Sequence, residues 1–298
     1  GGRPDPRQDR HQRTAARLMR RRAPALALWP ALLGAALAMA SAAPARLPAQ
    51  SAPHAPASAA PVVPAREIRR LPHDPAAFTE GLFIDRGELW ESTGMEGRSS
   101  IRQVDLESGR VIREARLAPA LFGEGIAPWH PAGGKGVGEI LSLTWRNGFG
   151  FRWNRASLTP KSRFVYAGEG WALTMLGNTL VMSDGTATLR LLDPATLHLR
   201  RLLTVTDAGR PVPMLNELEA VDGEILANIW LTDRIARIDP ADGHVIGWID
   251  VAALHQASGA TGPDQVANGI AWDAAHRRLY ITGKEWPALF EIAPPKGR

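Results

Sequence analysis

Short apolar runs closed by turn residues recur along the chain from residue 80 onward. Each unit continues with a second run of branched apolar residues and a third run that ends in Asp with Pro or Gly, which is hairpin chemistry. No long segment has a 3.6-residue period. Four short antiparallel strands in each repeat of about 40–50 residues predict a β-propeller. Five units begin with similar signatures, at steps of 44, 45, 48 and 51 residues: Glu80-Gly81-Leu82, Glu124-Gly125-Ile126, Glu169-Gly170-Trp171, Glu217-Leu218-Glu219 and Asn268-Gly269-Ile270.

The last unit ends after "ALFEI" and lacks a fourth strand. The segment "REIRRLPH", which begins at Arg66, can supply that strand. Such a closure joins the two ends of the domain and removes an exposed sheet edge. We therefore predict an all-β domain over residues 65–298. It is a single five-bladed β-propeller whose last blade is closed by the N-terminal strand and whose innermost strands start at the five signatures.

The segment before the repeats has the composition of a leader. Met19 is followed by three arginines, an apolar stretch and the small-residue site Ala40-Ser41-Ala42. This order predicts a signal peptide over residues 19–42, with residues 1–18 as an upstream extension and a periplasmic or secreted product. Pro24 and Pro30 interrupt the apolar stretch and argue against a retained membrane span. Residues 43–64 are rich in Ala and Pro, which predicts a disordered tether.

The net charge of +5 does not describe the predicted domain. Of the 35 Lys and Arg and 30 Asp and Glu residues, residues 1–64 hold 9 and 2, which leaves 26 and 28 for the rest. A slightly acidic domain lacks the basic footprint of a nucleic-acid binder, so we expect no nucleic-acid partner. The chain has no cysteine. Disulfides and thiol catalysis are therefore excluded, and the hydrophobic core alone stabilises the fold.

Ten motifs in order between residues 68 and 293 carry a family resemblance. They are "HDPAAFTEGL", "ESTGMEGRSSI", "LFGEGI", "LTW", "GEGWALT", "SDGT", "LNELE", "ANIW", "NGIAWD" and "TGKEWP". With these motifs the chain resembles the plant and bacterial type of glutaminyl-peptide cyclotransferase, a five-bladed propeller enzyme. The resemblance implies an acyltransferase that cyclises the N-terminal glutamine of peptides or proteins to pyroglutamate with release of ammonia. We expect it to act as a monomer.

Glu124, in "FGEGIAPW", is the main catalytic candidate because it falls on the catalytic glutamate of that family. In this reaction the substrate's own α-amine attacks its own γ-carboxamide, so the enzyme supplies no nucleophile. One carboxylate can act first as the base and then as the acid. The flanking glycines allow a sharp backbone turn. "GEG" recurs at residues 168–170, so the alternative is a simple blade-entry turn.

Aromatic residues are the candidates for substrate binding. Trp145, Trp171 and Trp230 are predicted at corresponding positions in their blades, where they would wall a small apolar chamber. Phe78 and Phe122 would extend the same wall. The alternative for all five is the ordinary core between blades.

Three polar residues complete the predicted site. Asn216 and Lys284 fall on family positions associated with it, where an amide can bind the substrate's carboxamide or amine and a cation can stabilise the oxyanion. A turn cap and a solvated charge are the alternatives. Glu80 stands where the family pattern has Gln, in "FTEGL". If Glu80 lies beside Glu124, repulsion between the two negative charges would raise the pKa of one of these carboxyl groups. Alternatively, an ionised Glu80 would bind the substrate's ammonium group.

No metal ligands are assigned from the sequence. The histidines show no close ligand spacing, and without cysteine a catalytic zinc site is not expected. No cofactor is therefore expected, although a structural calcium ion in the channel is left open. Two other functions also stay open. One is a non-catalytic binding propeller. The other is a calcium-dependent lactonase, with the ligands Glu80, Glu124, Glu217 and Asn268.

Overall fold

The computed structural model describes residues 59–131 and 138–295. The predicted upstream extension, the signal peptide and residues 43–58 of the predicted tether lie outside the described residues. Within the described ranges, no helix is long and apolar enough to cross a membrane.

The first half of the fold contains two N-terminal strands and two four-stranded blades. The N-terminal strands are β1 (Val62–Pro64) and β2 (Glu67–Pro72). Blade 1 consists of β3 (Thr79–Asp85), β4 (Glu88–Thr93), β5 (Ser100–Val104) and β6 (Val111–Arg116). Blade 2 consists of β7 (Gly123–Trp129), β8 (Glu139–Thr144), β9 (Phe149–Asn154) and β10 (Thr159–Val165).

The second half adds three blades, one small hairpin and one short helix. Blade 3 consists of β11 (Ala172–Leu176), β12 (Thr179–Ser183), β13 (Thr188–Leu192) and β14 (Leu199–Thr204). The hairpin is β15 (Thr206–Asp207) with β16 (Arg210–Pro211). Blade 4 consists of β17 (Leu215–Val221), β18 (Glu224–Ile229), β19 (Arg234–Ile238) and β20 (Val245–Asp250), and helix α1 (Ala252–Ser258) follows it. Blade 5 contains β21 (Ala267–Asp273), β22 (Arg278–Gly283) and β23 (Ala288–Ile292).

The five innermost strands, β3, β7, β11, β17 and β21, contact one another in a ring around the central channel. The last blade is completed by β2, which pairs antiparallel with β23 so that Leu71 lies opposite Leu289. The predicted five-bladed propeller and its closure by the N-terminal strand are therefore confirmed. The closure hydrogen bonds the first long strand to the last one.

The hydrophobic core is divided into five clusters, each packed between two neighbouring blades. Between blades 1 and 2, for example, Phe83 and Trp90 pack against Ile126 and Ile140. Both faces of the inner strands are buried in this way, although β17 also carries Asn216, Glu217 and Glu219. The outer strand β10 is mostly exposed and correspondingly polar.

The end of the predicted tether is a strand. Val62–Pro64 pairs in parallel with β20 on the outer edge of blade 4. The indole N–H of Trp248 and the backbone N–H of Ala60 both donate to Asp207, at 2.9 and 2.8 Å. The predicted disorder is therefore wrong for these residues. Two β-branched valines followed by a proline suit an edge strand, where the missing N–H of proline costs no ladder bond.

The hairpin registers correct the predicted alignment of two blades. In blade 1, Glu80 lies five residues before the last residue of the first strand, where the hairpin to the second strand begins. The same count gives Trp171 in blade 3 and Asn216 in blade 4. The predicted signatures were displaced by two residues in blade 3 and by one in blade 4. Trp171 therefore starts an inner strand, whereas Trp145 and Trp230 both follow a second strand, so the three tryptophans are not at corresponding positions.

Two glutamates of β17 link the inner strands across the channel. Glu217 accepts the backbone N–H of Leu82 in blade 1 at 3.2 Å and that of Ile270 in blade 5 at 2.9 Å, one with each carboxylate oxygen. Glu219 accepts the N–H of Trp272 at 2.9 Å. Inner strands of a propeller have backbone donors that no neighbouring strand satisfies, and these carboxylates satisfy them. They therefore hold the ring of blades together beneath its upper mouth.

Glu217→Gln should destabilise the fold. The substitution turns one acceptor into an NH₂ group that faces a backbone N–H, and one buried donor is left unsatisfied. We expect the free energy of unfolding to fall by about 1–3 kcal/mol, measured by urea denaturation. The matched control is Glu107→Gln, because the Glu107 side chain is 65% exposed and its ion pair should contribute little. Equal stability of the two variants would contradict the linking role of Glu217.

Candidate active site

One equivalent position in each blade faces the mouth of the channel at the start of the inner strand. It is occupied by Glu80, Glu124, Trp171, Asn216 and Asn268 in blades 1 to 5. All five side chains are buried. A second set comes from the residues that follow the second strands, and it includes Trp145, Trp230 and Lys284. The fold therefore brings together residues more than 200 positions apart.

The glycines beside Glu124 serve close approach of the backbone rather than a sharp turn. Neither Gly123 nor Gly125 has a positive φ. A Cβ added at Gly125 would lie 2.4 Å from the Cα of Ala172, in the inner strand of the next blade. A Cβ at Gly123 would lie 2.9 Å from the carbonyl oxygen of Thr93. The predicted reason for these glycines is therefore corrected: only glycine lets the strand of Glu124 fit between its neighbours.

Glu80 is the charged carboxylate of the pocket. Lys284 Nζ donates to one of its oxygens at 2.7 Å, and the amide of Asn268 donates to the other at 3.3 Å. Both charged side chains are at least nine-tenths buried. Burial raises the pKa of Glu80 to about 7, against the opposing effect of Lys284. Both of its oxygens face donors, which favours the ionised form of Glu80 over that of Glu124.

Glu124 lies beside this pair and forms no ion pair of its own with the described residues. It is 6% exposed, and its carboxyl group has no hydrogen bond to the described part of the chain. Burial first, and then the charge of Glu80, raise its pKa well above the ordinary value. A buried carboxyl group whose pKa is raised holds its proton more strongly and can both accept and return one. This is the combination that a general acid–base residue needs.

The aromatic candidates form two groups of rings in contact, one of which includes the ring that packs on Lys284. Lys284 Nζ lies 4.5 Å from the centre of the Phe78 ring, which is in edge contact with Phe122 at 6.1 Å. Phe122 packs on Trp145 at 5.4 Å. On the far side Trp171 and Trp230 form a T-shaped pair at 5.5 Å. The four rings other than Trp171 are half-buried, so they present apolar faces at the mouth.

Glu169, which the sequence placed only in a repeat signature, joins the two halves of this wall. One of its oxygens accepts the indole N–H of both Trp145, at 2.8 Å, and Trp171, at 3.0 Å. Its other oxygen accepts from Arg146, whose guanidinium lies 3.5 Å from the Trp145 ring. The recurrence of "GEG" at residues 168–170 was the available signal. Asn268 was also missed as an active-site residue, although "NGIAWD" occupies the position of "EGL" in blade 1.

The backbone that follows three second strands is held in the left-handed region. Met95, Leu231 and Glu285 come next after Gly94, Trp230 and Lys284, and their φ values are 82°, 62° and 58°. Non-glycine residues adopt this conformation at a cost of about 1–2 kcal/mol. Such strain is typical of functional sites whose surroundings fix the backbone. Two of these positions directly follow residues of the candidate site, Trp230 and Lys284.

Two of the four residues considered as ligands of a channel calcium ion have their carboxylate oxygens engaged within the protein. Those of Glu80 accept from Lys284 and Asn268, and those of Glu217 accept from two backbone N–H groups. An ammonium group at 2.7 Å also repels a second cation. The other two members of the set differ, because the Glu124 carboxyl group and Asn268 Oδ1 have no hydrogen-bond partner among the described residues. Elsewhere in the described ranges, one carboxylate and histidine cluster, Asp239, Asp242 and His244, includes none of the pocket residues.

A second concavity lies at the opposite end of blade 4. It has a volume of about 510 Å³ and includes the hairpin turn that joins β17 to β18. Arg237 lines it and donates to both oxygens of Glu224 at 2.7 and 2.8 Å, so this cation is compensated within the protein. None of the active-site candidates lines this concavity.

The fold and the site together define a propeller protein with buried carboxyl groups beside aromatic side chains near the starts of its inner strands. Residues 35–293 match the family model described as glutamine cyclotransferase, and the chain belongs to that family. It is 40% identical over 231 residues to a glutaminyl-peptide cyclotransferase of Arabidopsis thaliana, across 76% of this chain and 69% of the relative. The crystal structure of Myxococcus xanthus glutaminyl cyclase superposes with a TM-score of 0.72 at 37% identity. That match covers 78% of this chain and 97% of the other.

Proposed function

We infer that this protein is a glutaminyl-peptide cyclotransferase, an acyltransferase that converts the N-terminal glutamine of peptides to pyroglutamate and releases ammonia. The observation that carries this function is the unpartnered, buried carboxyl group of Glu124 beside the Glu80–Lys284 ion pair. Membership of the glutamine cyclotransferase family supports the same reaction.

Glu124 is proposed as the group that moves the proton. An α-ammonium entering the pocket brings the positive charge that Glu124 lacks, which favours the ionised form of this carboxyl group. Glu124 takes a proton from the amine, whose ordinary pKa is roughly 8, and the free amine attacks the γ-carbonyl carbon. The carbon–nitrogen bond of the carboxamide then breaks. Glu124 returns this proton to the departing nitrogen, which leaves as ammonia, and then accepts the second proton that the new ring nitrogen must lose.

The remaining pocket residues are proposed to bind and orient the substrate. The aromatic rings pack on the aliphatic part of glutamine and exclude water, so that the side chain folds back on its own amine. Asn216, buried and free of side-chain hydrogen bonds within the described residues, is available to the carboxamide or the amine. Lys284 is the cation closest to the reacting carbonyl and stabilises its oxyanion, while Glu80 holds Lys284 in place.

The cellular setting is proposed from the sequence. The arginine-rich start and apolar stretch of residues 19–42 support export to the periplasm or outside the cell. We further propose that the enzyme acts as a monomer and needs no metal. The engaged carboxylate oxygens of Glu80 and Glu217 support the latter.

The function is tested by incubating the purified protein with a peptide that begins with glutamine. We expect the peptide to lose one molecule of ammonia, measured by mass spectrometry, and free ammonia to appear in equal amount. A peptide that begins with asparagine is the matched control, because its shorter side chain would form a strained four-membered ring. Folded protein that leaves the glutamine peptide intact would refute the assignment.

Chelation separates the proposed reaction from a calcium-dependent one. Activity should be unchanged after exhaustive dialysis against a chelator, because the oxygens of Glu80 and Glu217 are held by Lys284, Asn268 and backbone donors. Loss of activity on chelation and its return with calcium would instead support a metal-dependent propeller enzyme.

A further inference from the structure

A buried cluster of charges lies directly behind the pocket, between blade 1 and the closure of blade 5. Glu91 accepts from His73 Nε2 at 3.0 Å and from Arg102 at 2.8 Å. Arg102 also donates to Asp74 at 2.9 Å. His73, Glu91 and Arg102 are all buried. The mechanism proposed above uses none of these residues.

Both ring nitrogens of His73 face acceptors. Nε2 meets the Glu91 carboxylate, and Nδ1 lies 2.7 Å from the carbonyl oxygen of Trp286. Neutral imidazole has one donor nitrogen only, so both contacts are satisfied only by the imidazolium form. Burial opposes this charge, yet Glu91 holds the pKa of His73 above its ordinary value. Burial likewise opposes the charge of Glu91, but His73 and Arg102 hold its pKa at about 2.

The charged groups around the His73 ring balance one another. Glu91 on β4 and Arg102 on β5 face it, and Asp74 reaches Arg102 from the loop after β2. Thr282 on β22 is uncharged and lies 3.5 Å from Nδ1. The two cations and two anions sum to zero only while His73 is protonated. The neutral form would leave a buried excess of negative charge.

The cluster holds the backbone on both sides of the active-site ion pair. On the Lys284 side, His73 binds the loop between β22 and β23 twice, through Nδ1 to the carbonyl of Trp286 and through its backbone N–H to Pro287 at 3.0 Å. On the Glu80 side, the Thr79 hydroxyl donates to Glu91 at 2.6 Å. The oxygen that accepts from Thr79 is the same one that binds His73.

We propose that His73 is a positioning residue of the active site, and that its imidazolium form clamps the Lys284 loop against the strand that carries Glu80. The clamp sets where the ammonium of Lys284 lies relative to the substrate's carbonyl. Loss of the second proton would release one side of the clamp and loosen the loop. This role rests on the proposed function, because its effect on turnover acts through Lys284.

A double-mutant cycle with Lys284 distinguishes this role from a purely structural one. His73→Asn keeps a donor near Nδ1 but loses the contact with Glu91. It should lower kcat by about tenfold, with KM changed less than about twofold, when Lys284 is present. In a Lys284→Met background the same substitution should change kcat by less than about twofold. An equal loss in both backgrounds would overturn the proposal.

Matched variants guard this cycle against simple unfolding. His276→Asn removes another carboxylate-bound histidine, 65% exposed and bonded to Asp273 at 2.7 Å, and should leave kcat and KM unchanged. Thr79→Val has nearly the same shape and cuts only the link from Glu91 to the strand of Glu80. It should lower kcat by about threefold, again only when Lys284 is present. Thr79→Val with the native kcat would refute the clamp even if His73→Asn failed to fold.

The charge of His73 can be read without any activity assay. In ¹⁵N NMR spectra of the intact protein, both ring nitrogens of His73 should be protonated at neutral pH, and the signals are assigned by their absence in His73→Asn. A ring with one bare nitrogen at neutral pH would overturn the proposal. If the wild-type protein did not cyclise glutamine peptides, the proposed function would fail, and the NMR result would still report on the clamp.

Discussion

Glu124→Gln should remove nearly all turnover and leave the fold intact. General acid–base residues typically contribute about 10²–10⁴-fold, so we expect kcat to fall by at least about 10²-fold. Glutamine has nearly the same shape as the protonated carboxyl group that the buried site favours, so the surrounding rings need not move. The measurement is the initial rate of ammonia release from a saturating glutamine peptide.

A control variant distinguishes the loss of this particular carboxyl group from the loss of any one acidic residue. Glu96→Gln removes an equal charge from an exposed residue of blade 1. It should retain the wild-type rate. If Glu124→Gln also retained it, the proton would have to be moved by another group, and Glu80 would be the next candidate.

The stability of the same variant has a pH dependence with a definite sign. Burial and Glu80 raise the folded-state pKa of Glu124 above its unfolded value. Its contribution to stability is therefore present below the unfolded pKa and is lost as pH rises through the folded pKa. Glutamine cannot ionise. Glu124→Gln should thus unfold at a higher temperature than the wild type at about pH 8, and the difference should vanish near about pH 4. A variant that melts lower at both values would mean that the carboxylate is bonded in the native state.

The repeat pattern predicted the architecture because every blade has the same burial pattern and the same kind of hairpin turns. Inner strands are buried on both faces, and their hairpins need turn residues at regular intervals, so both leave periodic marks in sequence. The closure by residues 67–72 followed from a missing strand at the other end. The short edge strand β1 has no periodic sequence signal, because it forms by pairing with the free outer edge of blade 4 and not because of its own composition.

The pocket was predicted in its members but not in its geometry. Glu124 and Lys284 were identified through a family resemblance, whereas the register that places Trp171 and Asn216 at the position of Glu80 was not. In blade 3, Trp171 occupies the position that Glu80 has in blade 1. The Glu-Gly pattern of the repeats therefore predicted Glu169, two residues earlier, at that position. Sequence similarity between the repeats cannot reveal such a shift, because only the hairpin register determines which residue faces the channel mouth.

Contacts across the channel were the least predictable part of the molecule. Glu217 spans from blade 4 to the backbone of blades 1 and 5, and its sequence context shows only that it shares a strand face with Glu219. Glu169 likewise joins Trp145 to Trp171. These bonds depend on how the ring of blades closes, which local pattern does not encode. The His73 clamp belongs to the same class, because its partners lie as much as 213 positions away.

Lys284→Met should damage both catalysis and stability, for two separable reasons. An oxyanion stabiliser of this kind contributes about 10²–10³-fold, and kcat should fall by that factor. The substitution also breaks the buried Glu80–Lys284 ion pair and raises the pKa of Glu80 further, so the free energy of unfolding should fall by about 3–5 kcal/mol in mildly alkaline solution, where Glu80 of the wild type is ionised. This loss should shrink as the pH falls, because protonation of Glu80 removes the charge. Both quantities are measured on the same preparation, by ammonia release and by urea denaturation.

Removing the second partner of the pair separates the two effects. Glu80→Gln combined with Lys284→Met leaves a neutral pocket, so most of the lost stability should return. Turnover should stay low, because no cation faces the developing oxyanion. If the double variant regained the wild-type kcat, Lys284 would serve only to neutralise Glu80. Oxyanion stabilisation would then have to come from another donor, and the amides of Asn216 and Asn268 are the ones that the pocket offers.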